Sequence, residues 1–286
     1  MIIFDGKKLA QKILDDLKTE TSAWKNKPSV AVVSFGSKEE NSSYVTQKRK
    51  TAEFLGFGFN HYHYAKEDFF KAREYLNKIV KMEKNSAVVV QLPLPAGVNY
   101  SILNVLPLQK DPDLLSDKAV GLFFNGRSLV DPPTAAAILR ILAESDISVK
   151  NKQVALFGYG RLVGRFLMPM LVKAGALVTV LEKGIGKNDI LDISSKADIM
   201  ISAAGEANFI TAAMVKNGAA VVDAGFSLLD GKITGDVDWD SVKDKASFIT
   251  PVPGGVGPVT VAELFANVVK LYKLANKKQH RPRGAF

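Results

Sequence analysis

Apolar side chains recur at three- and four-residue intervals from Asp5 to Trp24, where Leu9, Ile13, Leu14 and Leu17 share one helical face. The next run differs. Within Ser29–Phe35 the stretch Val-Ala-Val-Val-Ser-Phe crowds apolar and β-branched residues together with no helical spacing, which predicts a strand. A helix over Ser43–Leu55, a strand over Phe57–Tyr64 and a second helix over Lys66–Met82 continue the alternation. Residues Ala87–Leu92 are apolar without a break until Gln91, as expected of a parallel strand covered on both faces. Repeating strand–helix units of this kind predict an α/β fold with a parallel sheet.

Between Pro107 and Pro133 the periodicity gives way to Pro and Asp, which marks a domain boundary. Beyond it, strands are expected at Gln153–Phe157, Leu177–Leu181, Ile199–Ala203, Ala219–Asp223 and Ala246–Thr250, in the layout of a doubly wound nucleotide-binding domain. The final helix, Val259–Leu274, has one apolar face and follows the last of these strands, so it is expected to return to the first domain. The organisation read from the sequence is therefore two α/β domains. The first covers 1–125 and is completed by 259–286, and a Rossmann-like domain covers 126–258.

Composition narrows the chemistry. The 286 residues are 47% hydrophobic and 23% charged, within the range of globular proteins. With no cysteine, a thiol nucleophile, a disulfide framework and a Cys-ligated metal are excluded, and His61, His63 and His280 are too few for a His-rich site, so no metal is expected. The net charge of +9 is spread along the chain. Its one dense cluster, Lys277–Arg283, reads as a solvated tail, and nucleic acid is not an expected partner. Asp5 comes too early for a signal peptide and no run of about 18 apolar residues occurs, so a cytoplasmic protein without membrane attachment is expected.

Five motifs carry candidate chemistry. Gly158-Tyr159-Gly160-Arg161-Leu162-Val163-Gly164 follows a strand and opens a helix, with Glu182 at the end of the next strand. Those are the positions a dinucleotide site needs for its pyrophosphate and ribose. Tyr44 and Lys48 are four residues apart and share a helical face, a pairing that by itself reads as an exposed helix lysine. Gln91-Leu92-Pro93-Leu94-Pro95 puts an amide at the carboxyl end of a buried strand, where ligands collect. Asp111-Pro112-Asp113 sets two carboxylates in a Pro-rich loop, where Asp111 fits ordinary turn chemistry. Finally, Thr250–Thr260 is a stiff Pro-Gly loop, of the kind that brings its backbone close to a ligand.

In order and spacing, these motifs resemble the bifunctional methylenetetrahydrofolate dehydrogenase/methenyltetrahydrofolate cyclohydrolase family over nearly the whole chain. The resemblance implies oxidation of 5,10-methylenetetrahydrofolate with NADP, or with NAD, and hydrolysis of the methenyl product to 10-formyltetrahydrofolate, in one cleft between the domains. It implies Lys48 as the catalytic lysine, Gln91 as the group that tunes it, Tyr44 against the folate and Asp113 on the pterin edge. Gly158, Tyr159 and Gly160 match its phosphate loop, Phe226 a residue that contacts the cofactor through its backbone, and Pro253, Gly254 and Gly255 its substrate loop. Glu182 and Lys183 fall where the ribose or its phosphate is recognised. A homodimer and a place in one-carbon metabolism and purine biosynthesis are implied as well.

Some positions depart from the family. Tyr159-Gly160 stands for Arg-Ser, Leu114 for Gly, Ser227-Leu228 for Asn-Arg, and Pro132-Pro133-Thr134-Ala135 for Pro-Cys-Thr-Pro. The lysine site is untouched by these changes, and the acceptor is left open between NADP and NAD. The rival readings are another Rossmann-fold oxidoreductase of a small acid and a non-catalytic nucleotide-binding relative.

Overall fold

In the computed structural model, residues 1–36, 42–229 and 231–279 are described. The basic tail from His280 onward therefore lies outside the described residues. In chain order the first half forms β1 (Ile2–Ile3), α1 (Gly6–Thr21), β2 (Ser29–Phe35), α2 (Ser42–Leu55), β3 (Gly58–Tyr64), α3 (Ala72–Lys81), β4 (Ala87–Val90), α4 (Asp117–Phe124) and α5 (Pro133–Glu144). The second half forms β5 (Gln153–Phe157), α6 (Gly164–Lys173), β6 (Leu177–Leu181), α7 (Lys187–Ser194), β7 (Ile199–Ser202), β8 (Ala220–Asp223), β9 (Ser227–Leu229), β10 (Lys232–Thr234), α8 (Trp239–Val242), β11 (Phe248–Ile249) and α9 (Val256–Gln279).

The chain divides into two compact units, one of Met1–Gln11 with Thr134–Thr260 and the other of Lys12–Pro133 with the chain from Val261 on. The smaller sheet has the order β3-β2-β4 with both pairings parallel. All four residues of β4 are buried, which explains its unbroken apolar sequence, while the edge strand β3 is only partly covered. Val33, Phe35, Val88, Val90, Leu76 and Ile79 form the centre of its core. Where one helix was expected over Lys66–Met82, the chain makes a short 3-10 turn at Lys66–Lys71 and restarts as α3. No side chain caps position 65 or 71, and Phe69 turns in to meet the Phe35 ring edge-on at 6.1 Å.

The larger sheet has the order β1-β11-β8-β7-β5-β6, with every neighbouring pair parallel. Counted from β5, this is a doubly wound order whose switch point lies between β5 and β7. Strand β1 and the β9–β10 hairpin were not anticipated. The first has only two residues, held by Ile2 N donating to Ser247 O at 2.7 Å and Phe4 N to Ile249 O at 2.9 Å. It carries the first eleven residues into the unit of the six-stranded sheet, where the sequence had placed 1–125 in one domain. A two-residue strand has no period to read, and the sheet edge supplies its order.

Helix α4 also departs from expectation, filling part of the stretch that had looked aperiodic. Ser116 caps it, its Oγ accepting from Ala119 N at 3.3 Å. The closing helix α9 runs 24 residues, and from Val261 on it packs in the unit of the three-stranded sheet. There Phe265 meets Phe57, Tyr272 stacks on Trp24, and Tyr272 Oη donates to Asn26 O at 3.1 Å. Among the described residues no helix is long and apolar enough to cross a membrane.

Candidate active site

In the unit of the three-stranded sheet, α2, the end of β4 and the Asp113 loop bring together the residues of three separate motifs. Lys48 is buried with 7% of its surface exposed, where the sequence pairing alone had suggested a solvated lysine. Its Nζ donates to Gln91 Oε1 at 2.8 Å and lies 5.6 Å from the centre of the Tyr44 ring. Gln91 is fixed in turn, its backbone N donating to Val33 O at 2.8 Å and its Nε2 to Leu92 O at 3.1 Å. With Nε2 turned to the Leu92 carbonyl, Oε1 is the side-chain atom that faces the lysine.

Charge and burial oppose one another here. Burial lowers the Lys48 pKa, and the negative charge of Asp113 partly restores it. Asp113 is itself raised to about 6, first by burial and then by Asp111, with Lys48 opposing. The Tyr44 hydroxyl is held above its ordinary value by burial. Such a lysine loses its proton more readily than one in water, as a group that must both take and give protons requires.

The loop that presents Asp113 is organised from within. Asp111 is buried, and its carboxylate accepts from Leu115 N and Ser116 N, each at 2.9 Å, and from Ser116 Oγ at 2.8 Å. Between the two aspartates and the cap, Leu114 takes φ +52° with its side chain buried. From α9, Asn267 Nδ2 donates to Pro112 O at 2.8 Å and Asp131 O at 2.7 Å. Sequence reasoning passed over Asn267, because one amide on an apolar helix carries no signal of what it touches. Leu92–Pro93 and Val252–Pro253 are cis peptides.

The unit of the six-stranded sheet carries the other two groups. Gly158 has φ +88°, and a Cβ there would lie 2.5 Å from Ala203 O. A Cβ on Gly164 would lie 1.9 Å from Gly158 O, so this glycine lets α6 start against the turn. Gly160 is different. Its φ is ordinary and an added Cβ would meet nothing within 4 Å, so no contact inside the protein requires a glycine. An open backbone at a helix N-terminus after a parallel strand suits a pyrophosphate, and the turn fits a dinucleotide on that ground.

Glu182, just after β6, accepts the Tyr159 backbone N–H. Lys183 beside it is exposed, as are parts of Tyr159 and Phe226. The loop with Pro253, Gly254 and Gly255 also belongs to this unit. Gly254 has φ +113°, and Gly255 N donates to Pro251 O at 2.7 Å. Gly6 fits against it so closely that a Cβ would come within 1.9 Å of Gly255 O.

A doubly wound parallel sheet with a glycine turn at its switch point, joined in one chain to a unit holding a buried lysine, defines a dinucleotide-binding α/β oxidoreductase class. Family models narrow this: residues 4–113 match the tetrahydrofolate dehydrogenase/cyclohydrolase catalytic domain, and residues 132–276 match the NAD(P)-binding domain of that family. The chain belongs to the tetrahydrofolate dehydrogenase/cyclohydrolase family. A "Bifunctional protein FolD" of Hydrogenobaculum sp. is 37% identical over 279 residues, covering 96% of this chain and 99% of its own. Among solved structures, the methylenetetrahydrofolate dehydrogenase-cyclohydrolase of Trypanosoma brucei, complexed with NADP and an inhibitor, superposes with a TM-score of 0.90 at 30% identity, covering 96% of this chain and 98% of its own. The Campylobacter jejuni enzyme gives 0.86 at 34% identity, covering 95% and 98%.

Proposed function

We propose that this chain oxidises 5,10-methylenetetrahydrofolate to the methenyl cation with NADP, and hydrolyses that cation to 10-formyltetrahydrofolate. The observation that carries the reading is the buried Lys48 on Gln91, beside Asp113. In the hydrolysis, water attacks the methenyl carbon and a new C–O bond forms, which becomes the formyl C=O as the C–N5 bond breaks; of the two protons that leave the water, one passes to N5 and the other is released to solvent. Lys48 is the group that carries the proton to N5, because its burial favours the neutral amine. Gln91 holds the amine in place, and Asp113 accepts N–H groups of the pterin edge. Tyr44 lies along the substrate, and Pro253, Gly254 and Gly255 approach it with backbone.

A bound nicotinamide supplies the hydride acceptor for the oxidation, so this step asks mainly for orientation from the protein. Gly158, Tyr159 and Gly160 hold the pyrophosphate, Phe226 contacts the cofactor through its backbone, and Glu182 and Lys183 meet the adenosine ribose. A second reading of the acceptor rests on Glu182, whose carboxylate on the Tyr159 N–H favours ribose hydroxyls and repels a 2′-phosphate. A cytoplasmic homodimer acting in one-carbon metabolism and purine biosynthesis completes the proposal.

The test is a spectrophotometric assay with methylenetetrahydrofolate and each nucleotide in turn. Faster reduction of NADP supports the first acceptor, and faster reduction of NAD assigns Glu182 to the ribose. No reduction of either would contradict the dehydrogenase reading.

A further inference from the structure

The switch point between β5 and β7 is flanked by two loops, the glycine turn after Phe157 and residues 203–206 after Ser202. They meet backbone to backbone. Ala203 N donates to Phe157 O at 2.8 Å, and Gly158 is a glycine where a Cβ would strike Ala203 O. The second loop is therefore a wall against which the first is built.

One buried carboxylate fixes that wall. Asp236 has no exposed surface. Its Oδ2 accepts from Ser202 Oγ at 2.7 Å, Ala204 N at 2.8 Å and Gly205 N at 3.2 Å, and its Oδ1 accepts from Glu206 N at 2.8 Å. A third loop rests on the same group, since a Cβ on Gly225 would lie 2.2 Å from Asp236 Oδ1. Phe226 is the next residue along.

A second buried carboxylate holds Asp236 in place. Asp223, at the end of β8, accepts from Gly225 N at 2.8 Å, Asp236 N at 3.2 Å and Val237 N at 2.9 Å. Burying an anion costs free energy unless its acceptors are filled. A surface loop could instead leave its amides to water. Here three successive N–H groups are drawn onto one anion, which fixes the loop's course before any ligand arrives.

We infer that Asp236 is a positioning residue for the dinucleotide, pre-forming the 203–206 wall of the switch point and supporting the loop before Phe226. It touches no substrate itself. The inference rests on the reading that this unit binds NAD(P).

Two measurements test it. In the nucleotide-free full chain, the amides of residues 204–206 should already exchange slowly with deuterium. Rapid exchange that slows only when NADP is added would overturn the proposal. In steady-state kinetics, Asp236→Asn sets an amide N–H2 against a backbone donor, and should raise the KM for NADP about tenfold with a much smaller change in kcat. Ser202→Ala removes a bond that ends on the strand and should change that KM less than twofold.

An unaltered KM in Asp236→Asn, or equal losses of KM and kcat in both variants, would make Asp236 a general anchor and overturn the proposal. Should Asp236→Asn fail to fold, the exchange result decides alone. If the wild-type chain binds neither nucleotide, the functional reading fails, whereas exchange still reports whether the loop is pre-formed.

Discussion

A lysine four residues after a tyrosine on a helix has no local reason to leave water, yet Lys48 does. Its spacing from Tyr44 is legible in the sequence, but its burial is not, because Gln91 and Asp113 reach it from 43 residues away and farther. Asp113 gives this arrangement a pH signature. A carboxyl whose pKa is raised to about 6 binds its proton more tightly in the folded state, so its contribution to stability is present below the unfolded value near 4 and is lost as pH rises through 6. Asp113→Asn should therefore stabilise the ligand-free protein at pH 8, by on the order of 1–3 kcal/mol at most and read as a higher melting temperature, and the advantage should close by pH 4. A difference that ignores pH would mean that Asp113 is not strained by burial. Leu114 offers a second case. Relieving its positive φ with Leu114→Gly is worth about 1–2 kcal/mol, whereas losing the buried side chain costs about 2–5, so net destabilisation is expected in a denaturant melt.

The elements show where single-sequence reading stops. The seven residues of β2 and the fully buried β4 were legible, since long apolar runs bounded by turns have few alternatives. The same holds for α1, whose Leu9, Ile13 and Leu17 are all buried. Strand β1, the β9–β10 hairpin and α4 were not, because each is short and takes its order from neighbours. The glycine turn was placed by its context of strand and helix, and the structure separates its glycines by cause. Because nothing in the protein opposes a Cβ at 160, Gly160→Val should keep its melting temperature while weakening nucleotide binding at least tenfold, measured by titration. Unchanged affinity would remove the turn from the binding site. Helix α9 acts on the Asp113 loop through Asn267. Asn267→Ala strands the buried Pro112 carbonyl and frees that of Asp131, and should cost about 1–3 kcal/mol in stability, together with weaker folate binding. Full folate affinity would show that the loop holds its shape without the helix.

Taken together, the two units carry the two halves of one chemistry. The motifs that identified the family were legible because they are dense in Pro, Gly and Gln at unusual positions, and both family models match the chain where those motifs fall. The supports beneath the motifs were not legible. Asp236 and Asn267 look like ordinary turn and helix residues until their partners are known, since the bonds they make join segments about 30 to 155 residues apart. The central claim is that Lys48 carries the proton in the hydrolytic step, while the oxidation depends on orientation. Supplied with methylenetetrahydrofolate and NADP, the wild-type chain should form 10-formyltetrahydrofolate. Lys48→Met, which keeps the stem and removes the amine, should retain part of the oxidation and accumulate the methenyl compound. The decisive measurement is hydrolysis of pre-formed methenyltetrahydrofolate by Lys48→Met, above the uncatalysed background and across pH. Loss of enzymatic hydrolysis at every pH, in a variant that melts like the wild type, is the predicted result, and hydrolysis at the wild-type rate would contradict the account.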